Sequence, residues 1–321
     1  MLLWMSLAYA DPGEGAALDR PAPIVNGAIE KEYDATVGLA FGAFVLCSGS
    51  LVTPRVVLTA AHCLVDIPPD VFVDSGLILT GTRSLNPEGR YAIQKVKAHP
   101  GYVPLSGTVG LQTLPENDLG VVILRDPVPD DVHPVWIRTE RLTRPDAIGE
   151  LVTSVGYGLD EVGASGTKRS APLVVGDLDD EFVLSYNADN ENDANICSGD
   201  SGGPQYHLDP DGTLRQWAVH SWGDGACAFE SGSTRVDQES DWILKQIESV
   251  HGTTDRCEVL GLYGDGVCDA SCDQLDDDCW LSWDDVVAMG QPDPGACSTG
   301  PSAAWWLVGL VAPILRRRRW K

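Results

Sequence analysis

Three short segments carry side chains that could do chemistry together. Leu58-Thr-Ala-Ala-His-Cys63 presents His62 directly after the apolar run Arg55-Val-Val-Leu58. Asn117-Asp-Leu-Gly-Val-Val-Ile-Leu124 places Asp118 at the opening of a strand-like apolar run, and Cys197-Ser-Gly-Asp-Ser-Gly-Gly-Pro204 sets Ser201 among glycines. A serine hydroxyl is a weak nucleophile near neutral pH. It needs a base to take its proton and a carboxylate to orient that base. Glycines around Ser201 keep Cβ atoms out of the space where backbone N–H groups would meet a developing oxyanion. Each segment alone would pass for a structural histidine or an ordinary turn. Together they supply the parts of nucleophilic acyl transfer.

The elements that must position these residues are short. Between residues 24 and about 250, apolar runs recur at 36–45, 50–53, 56–60, 77–80, 119–124, 151–155, 182–185 and 217–221, each bounded by Gly, Pro, Asp or Asn. Val, Ile, Leu and Thr dominate them, which suits β-strands closed into barrels or a sandwich. The 34 glycines and 21 prolines fit the many turns this requires. Only 241–248 reads as a helix, with Trp242, Ile243 and Ile247 on one face and Asp241 in the first turn, where the dipole favours it. Residues 251–256 read as a polar linker. Beyond it, ten acidic residues and no Lys or Arg between Cys257 and Cys297 mark a separate module.

The 321 residues include 22 Lys+Arg against 47 Asp+Glu, a formal net charge of −25. Nucleic-acid phosphates would repel such a chain, which excludes nucleic-acid binding as a reading. A hydrophobic content of 43% excludes wholesale disorder. Residues 1–10 are apolar and end in Ala8-x-Ala10, like a signal-peptidase site, although no basic region precedes them. Export to an oxidising compartment is the expectation, and disulfides follow from it. Residues 11–23, rich in Pro, Gly, Ala and acid, read as a pro-segment.

In their order along the chain, the three segments resemble the chymotrypsin/trypsin family of serine peptidases over about 24–250. The resemblance implies an all-β fold of two six-stranded antiparallel barrels with a C-terminal helix, and a serine endopeptidase that works through an acyl-enzyme. It makes His62 the general base, Asp118 its orienting carboxylate and Ser201 the nucleophile, with the N–H groups of Gly199 and Ser201 as oxyanion donors. Ile24-Val-Asn-Gly27 resembles the family's mature N-terminus, whose freed amine pairs with an aspartate beside the nucleophile, here Asp200. Ser221-Trp-Gly223 resembles the segment that runs along the substrate backbone and lines the specificity pocket. Cys47–Cys63 and Cys197–Cys227 would be the family's flanking disulfides.

The sequence also departs from the family. Pro23 precedes Ile24 and the nearest base is Arg20, so cleavage in the trypsin manner would leave Pro-Ala-Pro attached. Asn195 takes the pocket-floor position, six residues before Ser201, where trypsin-like enzymes carry an acid. A neutral floor argues against Arg or Lys specificity, and Ile196 beside it should make the pocket shallower and more apolar, suiting medium or large neutral residues. The alternative is a catalytically silent protease-like binding or adhesion protein; retention of the whole triad and its glycines favours activity. The implied partners are polypeptide substrates, the implied state is a monomer, and catalysis needs no cofactor.

Residues 257–280 form an acidic cysteine-rich module too short for a core of its own, so disulfides, a metal or both must hold it. Cys257, Cys268, Cys272 and Cys279 allow three pairings. Their spacing resembles Notch/Lin-12-type repeats, which implies disulfides plus Ca²⁺, with Asp265, Asp269, Asp273, Asp276, Asp277 and Asp278 as oxygen donors. Zinc on the four cysteines is the competing reading, which export disfavours. Asp189-Asn-Glu-Asn-Asp193 also bunches oxygen atoms and reads as a plain surface loop. In the tail, 297–321, a small-residue segment around the odd Cys297 precedes a 13-residue apolar run at 303–315 and four arginines. That run is short of the ~20 residues that span a bilayer. The order resembles bacterial sorting signals of the MYXO-CTERM type. It implies a membrane sorting protease as a partner and a cell-surface or secreted protein, anchored transiently or permanently.

Overall fold

The computed structural model describes residues 24, 27–108, 111–187, 194–224, 227, 229–269 and 272–279. The expected signal and pro-segments, the 189–193 loop, Cys297 and the 303–315 run lie outside the described residues. The branched apolar runs form antiparallel strands, because such side chains pack well on a pleated surface. After a short β1 (Ala28–Ile29), the strands β2 (Thr36–Phe41), β3 (Phe44–Thr53), β4 (Val56–Thr59), β5 (Gly76–Thr80), β6 (Gly89–Ala98) and β9 (Gly120–Leu124) close a barrel in the order β2-β3-β4-β9-β6-β5. A small hairpin, β7 (Ser106–Thr108) and β8 (Leu111–Thr113), rises between β6 and β9.

The second barrel takes β10 (Leu151–Gly156), β11 (Arg169–Leu178), β12 (Phe182–Asn187), β13 (Pro204–Leu208), β14 (Leu214–Gly223) and β15 (Glu230–Arg235). Its order is β11-β10-β13-β14-β15-β12, closed by pairing of β11 with β12, and β1 adds to β11 through Ala28 opposite Ser170. The fold is thus two closed six-stranded antiparallel barrels, and closure removes the strand edges that would otherwise invite aggregation.

Helices are few. α1 (His62–Val65) and α2 (Pro69–Ser75) follow β4, and α3 (Arg144–Ala147) precedes β10. α4 (Ser240–His251) extends beyond the expected 241–248 and ends where Gly252 takes a φ of 78°. Its apolar stripe, Ile243 and Ile247, joins a core cluster that also holds Leu51, Leu58 and Val121 of the first barrel and Tyr206 and Val219 of the second. The expected linker is correspondingly short, because His251 belongs to α4 and its Nε2 is hydrogen-bonded to Thr53 Oγ1 at 2.9 Å. Asp255 then caps α5 (Arg256–Leu260) by accepting from the N–H groups of Cys257 and Glu258, and Val259 enters the same core cluster.

Among the described residues four disulfides are formed: Cys47–Cys63, Cys197–Cys227, Cys257–Cys272 and Cys268–Cys279. The first two are those the family resemblance implies. The last two select one of three pairings and leave no thiolate in the module for zinc.

A buried ion pair secures the second barrel. Arg235 Nη2 lies 2.6 Å from Asp237 Oδ2, and Nε donates to Oδ1 at 3.0 Å. The same guanidinium donates to the carbonyls of Asp179 (2.6 Å) and Leu142 (2.9 Å), while the Leu142 N–H donates to Asp237 at 2.9 Å. Every member has a partner, so removing one strands a buried charge. Arg235→Met should cost about 3–5 kcal/mol. The expected result is a lower urea midpoint at unchanged slope; an unmoved midpoint would mean that Asp237 is satisfied without the arginine.

Candidate active site

β4 is buried along its whole length, and the chain leaves it through buried Ala60 and Ala61 to begin α1 at His62. The Cys47–Cys63 disulfide ties this exit back to β3. His62 meets Asp118 twice: its backbone N–H donates to Oδ1 at 2.9 Å, and its Nδ1 lies 2.7 Å from Oδ2. Asp118 is fully buried two residues before β9, and Oδ2 also accepts the Ser221 hydroxyl at 2.6 Å. An ionised carboxylate only accepts hydrogen bonds, so the neutral imidazole must carry its proton on Nδ1, which leaves the Nε2 lone pair available.

Ser201 sits on a tight turn that glycines make possible. Gly199 and Gly202 have φ values of 95° and 81°. A Cβ on Gly202 would fall 2.1 Å from Thr59 Oγ1 and 2.4 Å from the Ser48 carbonyl oxygen, so no larger residue fits. The Ser48 hydroxyl donates to the Gly199 carbonyl at 2.9 Å, and the Ser48 N–H donates to the Ser201 carbonyl at 2.8 Å. These bonds turn both carbonyls away toward β3. Ser201 and His62 line one cleft with Ser221, Trp222 and Gly223. Among the described residues no hydrogen bond joins Ser201 to His62, which is common in a free site that tightens around substrate.

The expected activation pair is placed but not joined. Ile24 is buried against Ala171, Ala194 and Ile196, and its nitrogen belongs to the peptide bond with Pro23 in this uncleaved chain. Asp200 is fully buried and accepts from the N–H groups of Gly158 (2.8 Å) and Cys197 (2.9 Å). A Cβ on Gly156 would lie 2.2 Å from its Oδ1, so a bare backbone is needed there as well. Burial pushes the Asp200 carboxyl up to about 7, against the two backbone donors and the nearby Arg169. A buried carboxyl in that state gains from a cation brought beside it.

In the specificity region, Ile196 lines the cleft while Asn195 lies behind it, its Oδ1 accepting from the Ile196 N–H at 2.8 Å. Asn195 Nδ2 is buried with no hydrogen-bond partner among the described residues. On the far wall, Gly223 pairs with Ser231 and Trp222 with Gly232. A Cβ on Gly232 would lie 2.2 Å from the indole, so the ring lies flush on β15. Asp224, just past β14, lines the cleft without having been marked in the sequence, and so do three others, Tyr102, Leu105 and Pro115. These three flank the β7–β8 hairpin in a stretch with no periodic pattern. The Tyr102 hydroxyl is pushed up to about 12 by burial and by the carboxylates of Asp118 and Asp66.

Several aspartates of the module accept nearby backbone N–H groups. Asp276 accepts from the N–H groups of Asp269 (2.8 Å) and Asp278 (3.2 Å), and these bonds hold its carboxyl below the usual range. Asp278 accepts from Gly266 at 2.7 Å and Asp265 from Val267 at 2.8 Å. Asp269 Oδ1 lies 3.8 Å from Arg256. Among the described residues the one trio of metal-capable side chains within reach of a single ion is Cys47, His62 and Cys63, whose cysteines are already bonded to each other. No described helix is long and apolar enough to cross a membrane.

The family model described as Trypsin matches residues 24–243, a span that holds both barrels and the whole cleft. The chain belongs to the trypsin family. It is 30% identical over 277 residues to the lectizyme of Glossina austeni, covering 75% of this chain and 91% of that protein. It is 30% identical over 230 residues to phenoloxidase-activating factor 3 of Holotrichia diomphalia, covering 63% of this chain and 64% of that protein. Against serine protease 56 of Homo sapiens the identity is 28% over 249 residues, 70% of this chain and 38% of that protein. The chain therefore spans less than two thirds of the last two relatives.

In the uncleaved trypsin-family chain, Asp200 titrates near 7, above the ~3.9 of an unfolded aspartate. A raised carboxyl contributes stability that is complete below the unfolded value and lost as pH climbs to the folded one. Uncleaved Ser201→Ala protein should thus lose thermal stability between about pH 4 and 7 more steeply than the same protein carrying Asp200→Asn. Equal slopes would assign the titration elsewhere.

Proposed function

We propose that this chain is an exported serine endopeptidase, synthesised as a zymogen, that cleaves beside neutral residues. The observation that carries the reading is the buried Asp118 carboxylate holding both the N–H and the Nδ1 of His62, with Ser201 in the same cleft. In this reading His62 Nε2 takes the Ser201 proton as Oγ attacks a peptide carbonyl. The oxyanion meets the N–H groups of Gly199 and Ser201. The tetrahedral species collapses, His62 gives its proton to the leaving amine, and an acyl-enzyme remains. Water, deprotonated by His62, releases the acid. Asp118 stabilises the imidazolium formed in each half, while the Ser221 hydroxyl holds the carboxylate in place.

Activation would come from a cut before Ile24, whose new ammonium would compensate the buried Asp200. Four disulfides favour an oxidising compartment. Surface sorting through the tail is supported by its sequence order alone. The neutral Asn195 and the Ile196 side chain on the cleft wall support a preference for medium or large uncharged residues.

The test is fluorophosphonate labelling of protein carrying a specific cleavage site directly before Ile24. Label is expected on Ser201 only after the cut and never on Ser201→Ala. Turnover of Phe, Leu or Met p-nitroanilides should exceed that of Arg or Lys ones. Asp118→Asn should lower kcat by roughly 10⁴, the size this change has in a chymotrypsin-like triad. Cleaved but unlabelled protein would leave the binding reading instead.

We also keep calcium in the acidic module as a proposal, supported by the composition of 265–278 alone. Bound Ca²⁺ should raise Tm, with the shift growing as its concentration passes Kd. A Ca²⁺ titration that leaves Tm unchanged removes the proposal.

A further inference from the structure

Glu181 lies outside every sequence motif, yet it reaches the site from the opposite barrel. It occupies the turn between β11 and β12, and its Oε1 accepts the backbone N–H of Asn117, the residue directly before Asp118. Asn117 has a φ of 49°, a left-handed conformation uncommon outside glycine that asparagine adopts more readily than most residues. Two contacts hold it here: Glu181 on the N–H, and the Gly101 carbonyl accepting the Asn117 side-chain amide at 3.1 Å. The next residue is Asp118, whose carboxylate carries His62. The Glu181 turn is itself fixed, since its N–H donates to Asp179 Oδ1 at 2.8 Å and its carbonyl accepts the Arg235 N–H at 2.9 Å. The Arg235 guanidinium holds the Asp179 carbonyl as well.

We propose that Glu181 is a positioning residue: by clamping the Asn117 amide it sets the backbone from which Asp118 reaches His62, and it does so best when ionised. The inference rests on the protease reading of His62, Asp118 and Ser201.

The charges around Glu181 make this clamp pH-sensitive. Burial raises its carboxyl and the Asn117 N–H opposes the shift; Glu239 at the start of α4, Glu116 beside Asn117 and Asp179 in its own turn raise it further. Arg235 carries a charge at this seam, and His99, whose Nε2 lies 3.2 Å from Glu239, is a titratable group that burial pushes below the usual imidazole value, against the pull of Glu239. An ionised acceptor holds an N–H roughly twice as strongly as a neutral one. Protonating Glu181 therefore loosens its hold on the Asn117 N–H.

The experiment compares wild type, E181Q, E181D and E181A, each with Ile24 freed. It reads kcat and KM on a neutral p-nitroanilide, and the ¹H resonance of the His62 Nδ1 proton, which the bond to Asp118 shifts downfield. E181A, and E181D with its charge kept but its reach shortened, should lose roughly tenfold in kcat with KM little changed. Their His62 resonance should move or broaden. E181Q, with a neutral acceptor at the original reach, should restore most of kcat while losing the acid-side inflection of the resonance that wild type shows as Glu181 titrates. Should E181A not fold, E181D carries the comparison. Unchanged kcat and an unmoved His62 resonance in E181D overturn the proposal, wherever its unfolding midpoint falls. If wild type itself neither labels nor turns over, the protease reading fails, and the His62 resonance still decides: moved in E181D, the clamp stands; unmoved, it falls.

Discussion

An aspartate without contact with water must have its hydrogen bonds supplied by the protein, and Asp118 draws them from both halves of the molecule. His62 provides two donors from the exit of β4 in the first barrel, and Ser221 provides one from β14 in the second. Leaving any of these unmade would strand part of a buried charge, which costs far more than an ordinary hydrogen bond contributes. The relative placement of the barrels is therefore not free. The shared core, running from Leu51 and Val121 through Tyr206 and Val219 to Ile243 and Ile247, holds that placement with apolar burial. The polar contacts at Asp118 select the one docking in which the core is also filled.

The turn around Ser201 obeys a different constraint, that of space. Ser48, Thr59, Gly156 and Gly158 crowd it so closely that backbone atoms occupy positions where side chains would normally stand. The crowding also fixes the N–H groups of Gly199 and Ser201, because the carbonyls that share their peptide planes are held: Ser198 O accepts the Leu159 N–H at 2.9 Å and Asp200 O accepts the Gly203 N–H at 2.8 Å. The same crowding seals Asp200 from water, so the carboxyl that shapes the turn is also the group most exposed to a change in its surroundings.

Much of this was legible in the sequence, and the limits follow from physics. Branched apolar runs marked many of the barrel strands because composition is a local property, but β6, β11, β13 and β15, where polar and charged residues interleave, were not among those runs. The helix at 241–248 was visible from Trp242, Ile243 and Ile247, but its last turn was not, since Ser249 and His251 carry no apolar signal and are held by tertiary contacts such as Thr53. Cysteine spacing left three pairings open in the module, because loop closure in so short a segment does not discriminate among them. Ser221 was read as part of the segment that lines the specificity pocket; it lines the cleft, and its hydroxyl also donates to Asp118, a contact the sequence did not show. The aspartates of 265–278 suggested a cation from their composition; that several of them also cap nearby backbone N–H groups, the local use that Asp makes of a turn, was not visible from spacing alone. Glu181 was beyond reach altogether: nothing in the turn that bears it points to a residue 64 positions earlier.

The way the chain departs from the barrels has a mechanical meaning. Cys257 is fully buried, and α5 sends Val259 into the common core. Tension entering the chain at Cys279 would cross covalently to Cys268, follow the backbone to Cys272 and cross again to Cys257. The aspartate-bearing turn at 273–278 and the Tyr263 loop are bypassed by that route. Load from anything joined beyond the module thus reaches the packed interior of the protein through two covalent crossings, so the two disulfides shorten the path by which this segment could be pulled.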